Sequence, residues 1–161
     1  MRIILFLLLL CLPASAAEWT VYSNPRFGVS IDVPPGFVND VPEPENSDGL
    51  TFHSGDGEAE LLVWGNNLVD GDFAADGKGR LQGEKDEGWD VSYQKQSHNA
   101  WNVFSGSKGG RIMYARSIAS CQGTQALHFR IEYPEAQKED YDPVVKRLGK
   151  SLKAGPASGC P

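Results

Sequence analysis

The 161-residue sequence is poor in the side chains that metal and nucleophilic chemistry draw on, with three cysteines and three histidines. The cysteines form no CxxC pair, which removes the usual dithiol redox motif and the common zinc spacings. There is no HExxH, no nucleophile elbow, and no glycine-rich loop ending in Lys and Ser/Thr. Gly77-Lys78-Gly79 does not follow a strand, as a dinucleotide fingerprint would require. Basic clusters are also missing. Fifteen Lys and Arg stand against 21 Asp and Glu, a formal charge of −6. That balance argues against nucleic-acid binding, which needs clustered cations for the phosphates, and against a polybasic membrane patch.

The main apolar run, Ile3–Leu12, is too short to span a bilayer. Arg2 before it and Ala14-Ser15-Ala16 after it predict a signal peptide over residues 1–17. Cys11 would leave with it, because the leucines before it are not a lipobox. On this reading a single domain spans 18–154, with no membrane anchor after cleavage and a periplasmic or secreted location. Cys121 and Cys160 then remain, and an even pair in an exported chain predicts a disulfide. It would tether the Gly/Pro/Ser-rich tail, 155–161, across a loop of 38 residues. Chain entropy assigns such a closure roughly 3–4 kcal/mol.

Four consecutive strands are predicted at Trp89–Gln96, Ala100–Lys108, Arg111–Ser120 and Thr124–Tyr133. Gly109-Gly110 reads as the tight turn between the second and third. In the last strand Leu127, Phe129, Ile131 and Tyr133 alternate with Ala126, His128, Arg130 and Glu132. The apolar set should pack on a helix while the polar set meets water. Asp142-Pro143 reads as cap and first residue of that helix, Asp142–Lys153, with Val144, Val145, Leu148 and Leu152 as its buried stripe.

Upstream, Phe27, Val29, Ile31 and Val33 alternate as a half-buried strand ended by Pro34-Pro35, after a short apolar segment at Trp19–Tyr22. Residues 37–48 form an acidic loop. Its Asn46-Ser47-Asp48-Gly49 end fails as a calcium loop, because Pro44 and Gly55 occupy ligand positions. Leu50–His53 and Glu58–Trp64 make a hairpin, and Leu61–Trp64 belongs in the sheet interior. Asp72 caps a helix to about Lys85 that carries Gly77, Gly79 and Gly83.

No catalytic residue, metal site or cofactor is assigned. His53 lies near Asp56 and Glu58 at a turn, and His98 and His128 read as surface residues. The charged face of the long sheet is the candidate binding surface. Arg111, Arg116, His128 and Arg130 are its site residues, for a small anionic ligand or an envelope protein. Salt-bridge laddering with Asp90 and Glu132 is the structural alternative.

The strand Phe27–Val33 running into Pro34-Pro35-Gly36-Phe37, the hairpin closing in Leu61-Leu62-Val63-Trp64, and the closing helix with Ser151-Leu152 resemble the superfamily that includes PsbP of photosystem II and the nuclear-transport factor Mog1. Within it, the chain is similar to small exported proteins of proteobacteria. The resemblance implies an α+β fold, an α/β/α sandwich with a mostly antiparallel central sheet. It also implies an accessory or binding role without a shared active site. Two alternatives stand beside that role. One is a hydrolase or lyase of a small polar substrate using His128, Arg130 and Arg116 in one groove; the other is a structural protein of the cell envelope.

Overall fold

Strict alternation along one strand decides how the layers stack. In the computed structural model, which describes residues 18–155 and Cys160, that strand is β8 (Gln125–Pro134). Leu127, Phe129 and Ile131 are fully buried on one face, and Tyr133 is nearly so. β8 lies inside an antiparallel six-stranded sheet of order β3-β4-β8-β7-β6-β5. The other members are β3 (Gly49–His53), β4 (Glu60–Asn67), β5 (Asp90–Ser97), β6 (Trp101–Lys108) and β7 (Arg111–Ser120). The strands from β5 to β8 are neighbours in sequence order, because each short turn returns the chain beside itself. Gly109 and Gly110 join β6 to β7 with φ of 56° and 77°. A two-residue turn with both φ values positive matches the right-handed twist of its strands, and glycine takes that conformation without a Cβ clash.

The apolar face of the sheet carries the main core. Leu61 and Val63 of β4 join the β8 residues there. The cover is α2 (Lys138–Ser151) together with a second, three-stranded sheet of β1 (Thr20–Ser23), β2 (Val29–Val33) and β9 (Lys153–Ala154). Val29, Ile31 and Val33 of β2 and Leu148 of α2 press onto it. The β3–β4 hairpin thus extends the large sheet, while β1 and β2 belong to a small sheet over the core.

Most predicted elements are present. α1 (Phe73–Asp86) starts where Asp72 Oδ1 accepts the Ala75 N–H at 2.8 Å. It gives way at Gly88, with φ of 92°. α2 differs from its expected start. A 3₁₀ turn, Glu135–Gln137, feeds directly into the helix at Lys138, so Pro143 lies inside it. Asp142 is accordingly not a cap and pairs with Lys138 one turn back at 3.0 Å. Pro143, in the second turn, has no N–H to give the Glu139 carbonyl and so removes one intrahelical bond.

Cys121 and Cys160 form a disulfide with a Cα–Cα distance of 5.3 Å. The bridge joins the β7–β8 turn to the C-terminal tail. The expected signal peptide and most of the tail lie outside the described residues. No helix among the described residues is long and apolar enough to cross a membrane.

Candidate functional site

The polar face of the sheet is not a water-facing surface over β4 and β8, because α1 lies across it. Leu81 of α1 packs against Trp89, Phe104, Met113 and Ala115, while over β8 the helix contacts are polar. Arg130 of β8 donates through Nε to Glu84 Oε1 of α1 at 2.8 Å and through Nη1 to Glu132 at 3.0 Å. Arg111 of β7 also donates to Glu132, and its Nη2 reaches the Glu58 carbonyl at 3.0 Å. Burial alone would raise the Glu132 pKa, but its hydrogen bonds to the two arginines outweigh it and hold the carboxyl below its ordinary value. Burial likewise opposes the Arg130 charge, and Glu84 and Glu132 reverse the balance. Arg111 and Arg130 are thus neutralised within the protein, as cross-strand and helix-to-sheet ties.

His128 is fully buried, not a surface residue. Register places it between Trp64 of β4 and Ser117 of β7. Its ring stacks on Trp64 with centroids 4.8 Å apart. Nε2 is 2.5 Å from Asn66 Oδ1 and Nδ1 is 2.7 Å from Ser117 Oγ. Asn66 Oδ1 can only accept, and it already accepts from Arg80 Nη2 at 3.0 Å. Nε2 therefore carries the proton, and the Ser117 hydroxyl donates to Nδ1. Burial, then the Arg80 charge, pushes the His128 pKa well below its ordinary 6.5, so the ring is neutral. Ser117 is 2% exposed. The serine–histidine pair is sealed from any substrate, and its chemistry is to seat α1 through the chain Ser117, His128, Asn66, Arg80 and Asp76.

Arg116 points the other way. It pairs with Phe129 in the β7–β8 ladder, so it emerges on the α2 side of the sheet. The four sequence-derived residues therefore divide between the two faces, and no single groove contains Arg116 with His128 and Arg130. Arg116 borders an open groove of about 590 Å³ between α2 and β7, with Tyr114, Asp142, Lys146, Gly149 and Lys150 along its walls. Its guanidinium lies 5.4 Å over the Trp101 ring. The Nε atom is buried with no hydrogen-bond partner. Burial raises the Tyr114 pKa, and Arg116 beside it acts in the opposite direction.

A further pairing escaped sequence reasoning. His53 Nδ1 contacts Asp40 Oδ1 at 2.5 Å, and its Nε2 is 3.4 Å from Glu60. The hydrogen bond to Asp40 leads in raising the His53 pKa. Asp40 is 13 residues away, brought in by the bridge between Val38 and His53. Among the described residues no three His, Cys, Asp or Glu side chains are placed to hold a metal ion.

No protein-family model matches the sequence, and no curated protein does. Solved structures do match its fold. The solution structure of cyanobacterial PsbP (CyanoP) from Synechocystis sp. PCC 6803 superposes with a TM-score of 0.65 at 13% identity, over 90% of this chain and 97% of that one. The Saccharomyces cerevisiae Ran-binding protein Mog1p superposes with a TM-score of 0.59 at 9% identity, over 86% and 96%. A Mog1 variant gives 0.60 at 10% identity, over 85% and 96%. At these identities the likeness is one of fold: a mixed α+β arrangement shared with cyanobacterial PsbP and Mog1p.

Proposed function

We propose that this chain is an exported, non-catalytic binding protein that holds an anionic group in the groove between α2 and β7. Arg116 is the anchor. One observation carries the reading. Five of the six described arginines have carboxylate partners: Arg26 with Asp48, Arg80 with Asp76, Arg111 with Glu132, Arg130 with Glu84, and Arg147 with Asp32. Arg116 has none, although its Nε is buried. A guanidinium partly withdrawn from water gains from an incoming carboxylate, which accepts two parallel N–H bonds. Lys146 and Lys150 add positive charge along the same groove, against the single acid Asp142. The partner that fits is an acidic segment of an envelope protein or a small carboxylate ligand.

The leader-like residues 1–17 and the disulfide agree with an oxidising compartment. The test is a calorimetric titration with a glutamate-rich peptide at low salt. Wild-type protein should bind it, with affinity falling as salt rises, and Arg116→Gln should weaken binding at least about tenfold, the loss expected for a charged hydrogen-bond donor. Equal affinity in Arg116→Gln would refute the assignment.

A further inference from the structure

The opposite face of the sheet holds a second concavity, independent of the Arg116 groove. It lies between α1 and strands β5 and β6 and encloses about 330 Å³. That volume is at the lower end of small-molecule sites, which run about 300–1,000 Å³. Leu81 of α1 and Phe104 of β6 supply its apolar surface, and Gln94, Gln96 and Asn102 supply three carboxamides. Asn102 is 6% exposed, and its Oδ1 is buried without a hydrogen-bond partner. A buried amide oxygen without a donor is destabilising until something meets it.

The chemistry of the walls narrows the occupant. Carboxamides both donate and accept, as hydroxyl groups do. No carboxylate among the described residues lines the cavity, so a cation would find no counter-charge there. Lys78 is at the helix edge, while Lys95 carries its ammonium toward the Tyr93 ring, 5.7 Å from the centroid. Tyr93 and Lys95 alternate with Gln94 and Gln96, so that ammonium belongs to the other face of the sheet. An anion would meet one exposed lysine and leave the carboxamide acceptors unused.

We propose that this cavity binds a neutral saccharide ring. Its C–H face rests on Leu81 and Phe104, and its hydroxyls exchange hydrogen bonds with Gln94, Gln96 and Asn102. Gln94 and Gln96 are exposed and can be replaced without disturbing the core.

The experiment is an amide-resolved NMR titration of the full chain with glucose, galactose and N-acetylglucosamine. Sodium acetate and methylammonium chloride serve as charged controls. A saturable shift of the Gln94, Gln96 and Asn102 side-chain amides with at least one sugar is expected. Gln94→Leu and Gln96→Leu should each weaken it about fivefold, the loss of one hydrogen bond of about 1 kcal/mol. Arg116→Gln should leave it unchanged, which separates this site from the anion groove. Absence of saturation with all three sugars overturns the proposal. So does a saturable response to acetate or methylammonium alone, or an unchanged response in both glutamine variants. Retained native amide dispersion in those variants shows that a lost response is not a loss of fold.

Discussion

Gly77 of α1 faces Asn102 of β6 so closely that a Cβ on the glycine would stand 2.5 Å from Asn102 Nδ2. The helix approaches the sheet at this point because it has no side chain there. Gly77→Ala must displace a buried carboxamide. Overpacking of this kind costs about 1–3 kcal/mol, more than the roughly 1 kcal/mol that alanine returns to helix propensity. Gly79 and Gly83 on the same helix are exposed, and a Cβ there meets nothing. Replacing either with alanine should stabilise by about 0.4–1 kcal/mol. Urea unfolding of the three variants checks both signs; a stabilised Gly77→Ala would contradict the close approach.

The buried His128 gives the fold an acid-sensitive element. Its folded pKa is depressed by burial and by Arg80, while the unfolded value is the ordinary 6.5. The unfolded state therefore binds the proton first. Stability from this residue is full above the unfolded pKa and declines as pH falls from there toward the folded value. His53, raised by Asp40 and then Glu60, acts with the opposite sign, but its partner Asp40 is exposed and solvent screens the pair. Glu132 loses its contribution only below its ordinary 4.5. Thermal unfolding between about pH 5 and 7 should show a falling midpoint toward acid, and His128→Gln should flatten that slope. An unchanged slope in the variant would place the acid sensitivity elsewhere.

Arg130 and Glu84 tie α1 to β8, with side chains 16% and 14% exposed. Arg130→Met leaves both Glu84 and Glu132 without this partner and should cost about 1.5–3 kcal/mol, the scale of a charged hydrogen bond. Arg111 still serves Glu132, so Glu84 bears the larger loss. A double-mutant cycle with Glu84→Gln should return a coupling above about 0.5 kcal/mol, since directly contacting residues are not additive. Additive costs would show that the pair does not act as a unit.

The disulfide ties the tail to the β7–β8 turn over a sequence separation of 39. Cys121→Ser with Cys160→Ser should lower the unfolding free energy by about 2–4 kcal/mol in oxidising buffer. In reducing buffer wild type and variant should converge. Non-reducing mass analysis of the wild type should find no free thiol at either position.

How much of this was legible before folding differs by residue. Leu127, Phe129, Ile131 and Tyr133 announced a strand with one buried face, because side chains on a strand alternate with period two. Gly109-Gly110 announced its turn, since two consecutive positive φ values favour glycine. Asp72 was readable as a cap, and Cys121 and Cys160 as partners. These are local or pairwise properties, carried by residue type and spacing. The destination of a face is not. His128 and Arg130 alternate with apolar residues whether water or a helix lies above them. α1 conceals its role because Arg80 and Glu84 share its inner face with Phe73 and Leu81, so no broad apolar stripe marks that face. Arg116 shows the same limit. Its place among Ile112, Tyr114 and Ile118 fixes its face within β7, but only the β7–β8 register sets it opposite Phe129 and across the sheet from His128. Sequence alone determined the strands, the turns and the crosslink; tertiary structure decided which charges are spent inside the fold and left Arg116 without a carboxylate partner among the described residues.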